Sequence, residues 1–320
     1  MSGLPSIPNN LFFIWMGKSF PFWASLALRT ALKKGDFDKI SVYYQGFTPP
    51  EIFPEESDRK INWIPVSQEL FEGLPIQTID AYTLFTNHPQ AAARANLLRL
   101  ALLYKYGGIY ADFDVLFIKP LHNLLTSSGF CGLEPIALPA ELDQKKSIFK
   151  WVKPLFLLGL RDMCVRWPRG YRLFHKVEPW YYQAVNNAVL GAVAQNLLIT
   201  EALQTIAQMT PQERMIRYRM GTHLLQLLTG NKNSSRMKVL PASAFYPLGP
   251  EICNHWFRES SGPDWQNLVG ADTYIIHWYQ SVEERFLKSS LNEKWLHEHP
   301  HTPYAQWVKF LLNPSSSDPL

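Results

Sequence analysis

The stretch from residue 87 to 120, NHPQAAARANLLRLALLYKYGGIYADFDVLFIKP, constrains the fold more than any other part of the chain. From Pro89 the apolar residues Ala93, Leu97, Leu100, Ala101 and Tyr104 recur at helical spacing, with Thr86 or Asn87 as N-cap and Gly107-Gly108 as the stop. A short buried strand over residues 109–111 then delivers Asp112 and Asp114 to a strand end, where alternation sends both carboxylates to the same side. Two carboxylates held together repel unless a cation lies between them, and hard oxygen ligands suit Mg²⁺ or Mn²⁺. The natural partner of such a cation is a diphosphate. Asn96 and Arg99, three apart on the preceding helix, share a face that looks toward the same place.

The segments before this block supply the rest of a nucleotide-binding α/β half. Residues 11–16, LFFIWM, form a short apolar run ending at Gly17, the profile of a buried first strand. Residues 22–34 read as an amphipathic helix with Leu26, Leu28, Ala31 and Leu32 inward and lysines at its C-terminal end, where they favour the dipole. Residues 40–44 and 61–66 follow as strands of a parallel sheet, whose ligands bind at the carboxyl ends of the strands.

A bare D-x-D is common by chance, and it is the order helix, Asn-x-x-Arg, Gly-Gly, aromatic, D-x-D that carries information. The run ANLLRLALLYKYGGIYADFDVLF resembles the S-D-x-x-R-x-x-x-L-x-x-x-GG-x-Y-x-D-x-D block of sugar-nucleotide glycosyltransferases with the GT-A fold. That group includes the alpha-1,4-galactosyltransferase and initiating mannosyltransferase family and the glucosylating domains of large clostridial toxins. With Arg99 aligned on the family arginine, Ala95 takes the place of the serine and Asn96 that of the aspartate, so Asn96 keeps hydrogen bonding but not the charge.

Further matches follow in family order. Ile7, Pro8, Trp15 and Gly17 fit the opening I-P-x-x-I-H-x-x-W-x-G, with Phe12 in place of the histidine. Asn187-Ala188-Val189-Leu190-Gly191 fits N-A-x-[ML]-[GA]. Gly221 and Thr222 fall on G-P-x-x-L-T, where a helix N-terminus would face an anion. Leu240, Pro241, Phe245, Tyr246 and Pro247 fit L-P-x-x-x-F-Y-P, and TYIIHW at residues 273–278 brings His277 to a strand end.

The resemblance implies an α/β GT-A fold and a metal-dependent, retaining hexosyltransferase that uses a nucleotide sugar, with a UDP-sugar favoured. It implies that Asp114 binds Mn²⁺ or Mg²⁺ directly and that Asp112 acts through the ribose or a metal-bound water. It further implies that His277 completes the metal site, that Trp15 stacks on the base, and that Asn96, Arg99, Tyr110 and Asn187 position ribose, sugar or phosphate. A glycan, a glycolipid or, in a secreted effector, a host protein would be the acceptor. A non-catalytic sugar-nucleotide binder is the contrasting reading, and retention of both aspartates weighs against it.

Composition narrows the setting. At 320 residues and 47% hydrophobic the chain can bury a sizeable core, and one catalytic domain over residues 1–314 with a short flexible tail at 315–320 is expected. The net charge of +4 is too mild for a nucleic-acid partner. Cys131, Cys164 and Cys253 have no zinc spacing and read as reduced thiols. The segment MSGLPSIPNN has neither a basic region nor a long apolar core, and no run of apolar residues is long enough to span a bilayer, so a cytoplasmic protein is expected.

One segment stands apart. An insertion at about 143–180 carries nine Lys or Arg between Lys145 and Lys176 against one acid, Asp162, interleaved with Trp151, Leu155, Phe156, Trp167 and Tyr171. It reads either as a helical hairpin with solvated lysines or as a surface that lies on the anionic inner face of a membrane. Pro154, Gly159 and Pro168 are expected to interrupt any long helix there.

Overall fold

The computed structural model describes residues 6–49, 61–76, 78–138, 151–230, 236–259, 263–282 and 291–313. Strand β1 (Asn10–Met16) leads into helix α1 (Phe22–Lys34), then strands β2 (Lys39–Gln45) and β3 (Ile61–Pro65). Helix α2 (Ala81–Asn87) and helix α3 (Ala91–Tyr106) precede strand β4 (Gly108–Ala111) and strand β5 (Val115–Phe117). Thr86 and Asn87 therefore close α2 instead of capping α3, whose N-cap is Gln90. Pro89 is the reason: it holds His88 extended, which ends one helix and restarts the next.

The double glycine after α3 is sterically required. Gly107 has φ 60° and a Cβ there would lie 2.6 Å from the Ala194 nitrogen. Gly108 has φ 122° and its Cβ would meet the Asn10 carbonyl at 2.7 Å. Only glycine lets the chain reverse this tightly between α3 and the sheet.

Strand β6 (Gly129–Ile136), helices α4 (Val152–Arg166) and α5 (Gly170–Val177), and strand β7 (Tyr182–Ala192) follow. Lys145, Lys146 and Lys150 lie outside the described residues, as does the tail from residue 314. Pro154 and Gly159 do not interrupt α4. Pro154 sits in the first turn, where no intrahelical partner awaits its missing N–H, and a mid-helix glycine costs only about 1 kcal/mol. The break comes at Trp167-Pro168, where Trp167 turns extended.

Helices α6 (Leu197–Gln208), α7 (Pro211–Met215) and α8 (Thr222–Thr229), strands β8 (Lys238–Leu240) and β9 (Ile275–His277), and two C-terminal helices (Glu293–Glu298 and Pro303–Leu312) complete the described chain. Asn196 caps α6 by accepting from the backbone of Leu198 and Ile199.

Seven strands form one mixed sheet in the order β3-β2-β1-β4-β7-β6-β8, and β5 pairs with β9 in a separate two-stranded ribbon. Strands β3, β2, β1 and β4 are mutually parallel, while β7 is antiparallel to both β4 and β6. Alternation along β1 separates two cores. Leu11 and Phe13 face the cluster containing α1 and the last helix, while Phe12 and Ile14 face that of α3, α6 and α8. This is the α/β, helix-flanked mixed sheet expected of the GT-A class. Cys131, Cys164 and Cys253 are all buried, and none forms a disulfide among the described residues.

The topology itself locates a site. From β1 the chain winds outward through β2 and β3, then returns to add β4 on the other side of β1. The carboxyl ends of β1 and β4 thus flank a topological switch point, where open α/β sheets bind ligands.

Candidate active site

Trp15 lies at the carboxyl end of β1, one residue before its last, and Asp112 directly follows β4 at the same crevice. Phe113 turns into the core and stacks on Phe13 at 4.5 Å between ring centroids. Its burial throws the carboxylates of Asp112 and Asp114 out together on the opposite side. The ribbon of β5 and β9 sets Val115 opposite His277, and the Trp278 N–H donates to the Asp114 carbonyl at 3.0 Å. His277 Nε2 consequently lies 3.1 Å from Asp114 Oδ1. Asp112, Asp114 and His277 each offer a ligand atom, all within 4.8 Å of one another.

The electrostatics of this cluster differ from residue to residue. Burial, reinforced by the neighbouring Asp114 charge, raises the Asp112 carboxyl above its ordinary value against the pull of Arg99. Burial acts upward on Asp114 as well, but His277 and the Gln280 N–H, which donates to Oδ2 at 2.9 Å, outweigh it and hold Asp114 low. Burial by itself would keep His277 neutral, yet Asp114, Asp112 and Glu134 together raise its pKa. Two carboxylates and an imidazole make a hard donor set, and His277 Nδ1 is buried without a hydrogen-bond partner. These residues fit Mn²⁺ or Mg²⁺, and the imidazole favours the transition metal.

Behind the carboxylates lies a rigid brace. Arg99 is 5% exposed; it donates to Asp112 Oδ1 at 3.1 Å and to the Asn187 carbonyl, and its guanidinium covers the Tyr110 ring at 4.3 Å. Tyr110 is 2% exposed and its hydroxyl donates to Asp112. It positions the Asp112 carboxylate from the strand that carries it.

The Asn187 amide donates to Asn96 Oδ1 at 2.9 Å, so helix α3 and strand β7 meet through paired amides. Gly221, at the start of α8, closes on both; a Cβ there would lie 2.5 Å from Asn96 Nδ2 and 2.9 Å from Asn187 Nδ2. Trp15 is half-buried, its Nε1 donating to the Ser19 carbonyl at 3.0 Å and its ring packed edge-on to Phe20, Trp23 and Phe113.

Three groups with no forewarning in the sequence join the site. Glu134 on β6 accepts from Asn186 Nδ2 at 2.6 Å and from the Tyr279 hydroxyl at 2.8 Å; burial raises its pKa. Tyr279 packs on His277 at 4.2 Å and adopts φ 59°, the turn that swings the Gln280 N–H onto Asp114. Glu134 lies inside β6, and no motif in the sequence marks it.

A second D-x-D, Asp36-Phe37-Asp38, occurs in the chain and the fold sets it apart. It precedes β2, at the amino end of the parallel strands, with both aspartates exposed and Asp36 3.5 Å from His122.

Comparison with known proteins bears on the same residues. Residues 25–131, about a third of the chain, match the family model described as a glycosyltransferase sugar-binding region containing a DXD motif. Over these residues the chain is similar to the sugar-binding region of glycosyltransferases. No curated relative matches it in sequence. Among solved structures, it is similar to the PaToxG glycosyltransferase at 16% identity and a TM-score of 0.42, covering 70% of this chain and 69% of that one. It is similar to mouse xyloside xylosyltransferase 1 at 12% identity and 0.41, covering 84% and 96%. The galactosyltransferase LgtC aligns at 12% identity and 0.39, covering 92% and 96%.

Proposed function

We propose that this chain is one catalytic unit over residues 1–314 that moves a hexose, with retention, from a nucleotide sugar to a glycan or glycolipid acceptor, a UDP-sugar being the favoured donor. The observation that carries the reading is the convergence of Asp112, Asp114 and His277 at the switch point of the sheet. Asp112, Asp114 and His277 would hold Mn²⁺ or Mg²⁺, which would supply positive charge against that developing on the leaving diphosphate.

The residues of the chain do the rest. Asp114, held low, and His277 present ionised and imidazole ligands. Asp112, fixed by Arg99 and Tyr110, serves ribose or a metal-bound water. The Asn96–Asn187 amide pair supplies hydrogen bonds to donor hydroxyls, and the N-terminus of α8 beside it favours negative charge. Trp15, at the end of β1, offers the aromatic edge of a base site.

Nucleotide release from a panel of UDP- and GDP-sugars, with Mn²⁺, with Mg²⁺ and with chelator, tests this. Release from one donor, abolished by chelator and reduced at least 100-fold in Asp114→Ala, is expected. Release that persists in Asp114→Ala would refute the metal role, and silence across the panel would leave a binder without catalysis.

A further inference from the structure

Helix α4 is apolar on two opposite faces. Leu157 and Cys164 point into the core, where Tyr181 also packs, its hydroxyl donating to the Leu157 carbonyl at 2.9 Å. The hairpin of α4 and α5 is further fixed by Arg161, 3.3 Å from Glu251, and by His255 Nε2, 3.0 Å from the Cys164 carbonyl. The outward face is not polar, as a solvated helix face would be. Val152, Leu155, Phe156, Gly159, Met163 and Arg166 recur at helical spacing along it, with Val152 64% and Phe156 57% exposed. Trp167 extends the stripe at one end, and Trp180 lies beside Phe156 at 6.3 Å. Gly159, Met163, Arg166 and Trp167 line a shallow, open groove of about 610 Å³ with Asp162.

Charge around this stripe is predominantly positive. Lys153, Arg166, Arg169, Arg172 and Lys176 are all exposed. The two acids of the hairpin, Asp162 and Glu178, are each engaged, with Arg161 at 2.7 Å and His175 at 3.4 Å. An apolar stripe with large aromatic side chains and a basic border is the pattern of an element lying in the plane of a membrane interface. No helix among the described residues is long and apolar enough to cross a bilayer, so contact would be from the surface.

We propose that the outward face of the α4–α5 hairpin docks on an anionic lipid bilayer, with Leu155, Phe156, Met163 and Trp167 entering the headgroup region and the bordering Lys and Arg facing lipid phosphates. Charge complementarity selects this occupant over a second copy of the chain, whose identical basic border would repel. Strand β7 runs from the hairpin to Asn187, roughly 17 Å along at strand rise. If the transferase reading holds, docking brings its site beside the bilayer.

Vesicle co-sedimentation without substrate tests the surface separately from catalysis. Vesicles of phosphatidylcholine with about 30 mol% phosphatidylglycerol are compared with pure phosphatidylcholine, at 0.1 and 0.5 M NaCl. Binding at least tenfold stronger to the anionic vesicles, and weakened at least fivefold by the higher salt, is expected. Phe156→Asp combined with Met163→Asp should reduce it at least tenfold, while nucleotide release in vesicle-free buffer and the thermal midpoint stay unchanged. Arg166→Ala with Lys176→Ala should remove most of the anionic preference while keeping the fold. Absence of binding to anionic vesicles, or equal binding by wild type and Phe156→Asp/Met163→Asp, would overturn the proposal. So would a wild-type dimer that this double variant dissociates, which would assign the face to a second copy.

Discussion

Arg99 is the strongest attraction holding the Asp112 carboxylate against its burial. A guanidinium this deeply buried needs partners for its charge, and Arg99 meets Asp112, the Asn187 carbonyl and the Tyr110 ring, while its Nε is buried without a partner. Lysine keeps the charge but replaces the planar fork with a single ammonium that cannot hold both oxygen partners. Arg99→Lys is therefore expected to lower kcat/KM at least tenfold and to reduce the thermal midpoint by several degrees. Steady-state nucleotide release and a melting curve check both, and unchanged kinetics would show that Asp112 needs no brace. Arg99 and Asn96 were legible because helical spacing fixes which residues share a face. Tyr110 was legible as a site residue from the Gly-Gly-x-Tyr-x-Asp order, but its hydrogen bond to Asp112 was not, since strand alternation tells which side a ring takes and not what its hydroxyl meets. Residue type alone does not separate Asp36-Phe37-Asp38 from Asp112-Phe113-Asp114; the Asn-x-x-Arg and Gly-Gly order ahead of the second does, and the fold sets the two at opposite ends of parallel strands. The Gln280 N–H, a backbone group, leaves no trace in a pattern of side chains.

At the level of elements, the apolar patterns and the Gly-Gly turn foretold β1, α1, β2, β3 and β4 to within a residue or two, and the end of α3 but not its start, which Pro89 moves from Thr86 or Asn87 to Gln90. The hairpin was harder to read, since α4 is apolar on both sides and its proline falls where a first turn tolerates it. What secures the hairpin to the body is titratable. His255 is 3% exposed and burial lowers its pKa from 6.5 to about 4, while its Nε2 contacts the Cys164 carbonyl of α4. Its folded pKa is depressed, so the unfolded chain binds the proton first. The stability that His255 contributes is complete above pH 6.5 and declines as pH falls toward 4. The loss amounts to at most on the order of 3 kcal/mol. His255→Gln keeps a donor for the Cys164 carbonyl and cannot titrate. Urea denaturation at pH 7.5 and pH 4.5 should show a smaller acid loss in His255→Gln than in wild type, and equal losses would remove His255 from the account.

For the whole molecule, the cluster ties together parts of the chain that only the finished fold unites. Asp112 and Asp114 follow β4, His277 ends β9, and the unfolded chain has no means of holding all three within 4.8 Å. A cation that binds the folded state alone stabilises all of it, by about 2.7 kcal/mol at a hundred times its Kd. The gain has a local origin as well, since Asp112 is raised partly by the unneutralised charge of Asp114. Adding Mn²⁺ to metal-stripped protein should therefore raise the thermal midpoint of wild type by several degrees, and more in the presence of UDP, whose diphosphate adds ligands. Asp114→Ala should show neither shift, although it begins from a different midpoint because His277 has lost its partner. Arg99→Lys should retain part of the Mn²⁺ shift, because it loosens Asp112 without removing a ligand. An equal Mn²⁺ shift in wild type and Asp114→Ala would place the stabilising cation elsewhere. A UDP shift that needs no metal would leave Trp15 and the amide pair as the nucleotide site and Asp112 and Asp114 as its structural floor.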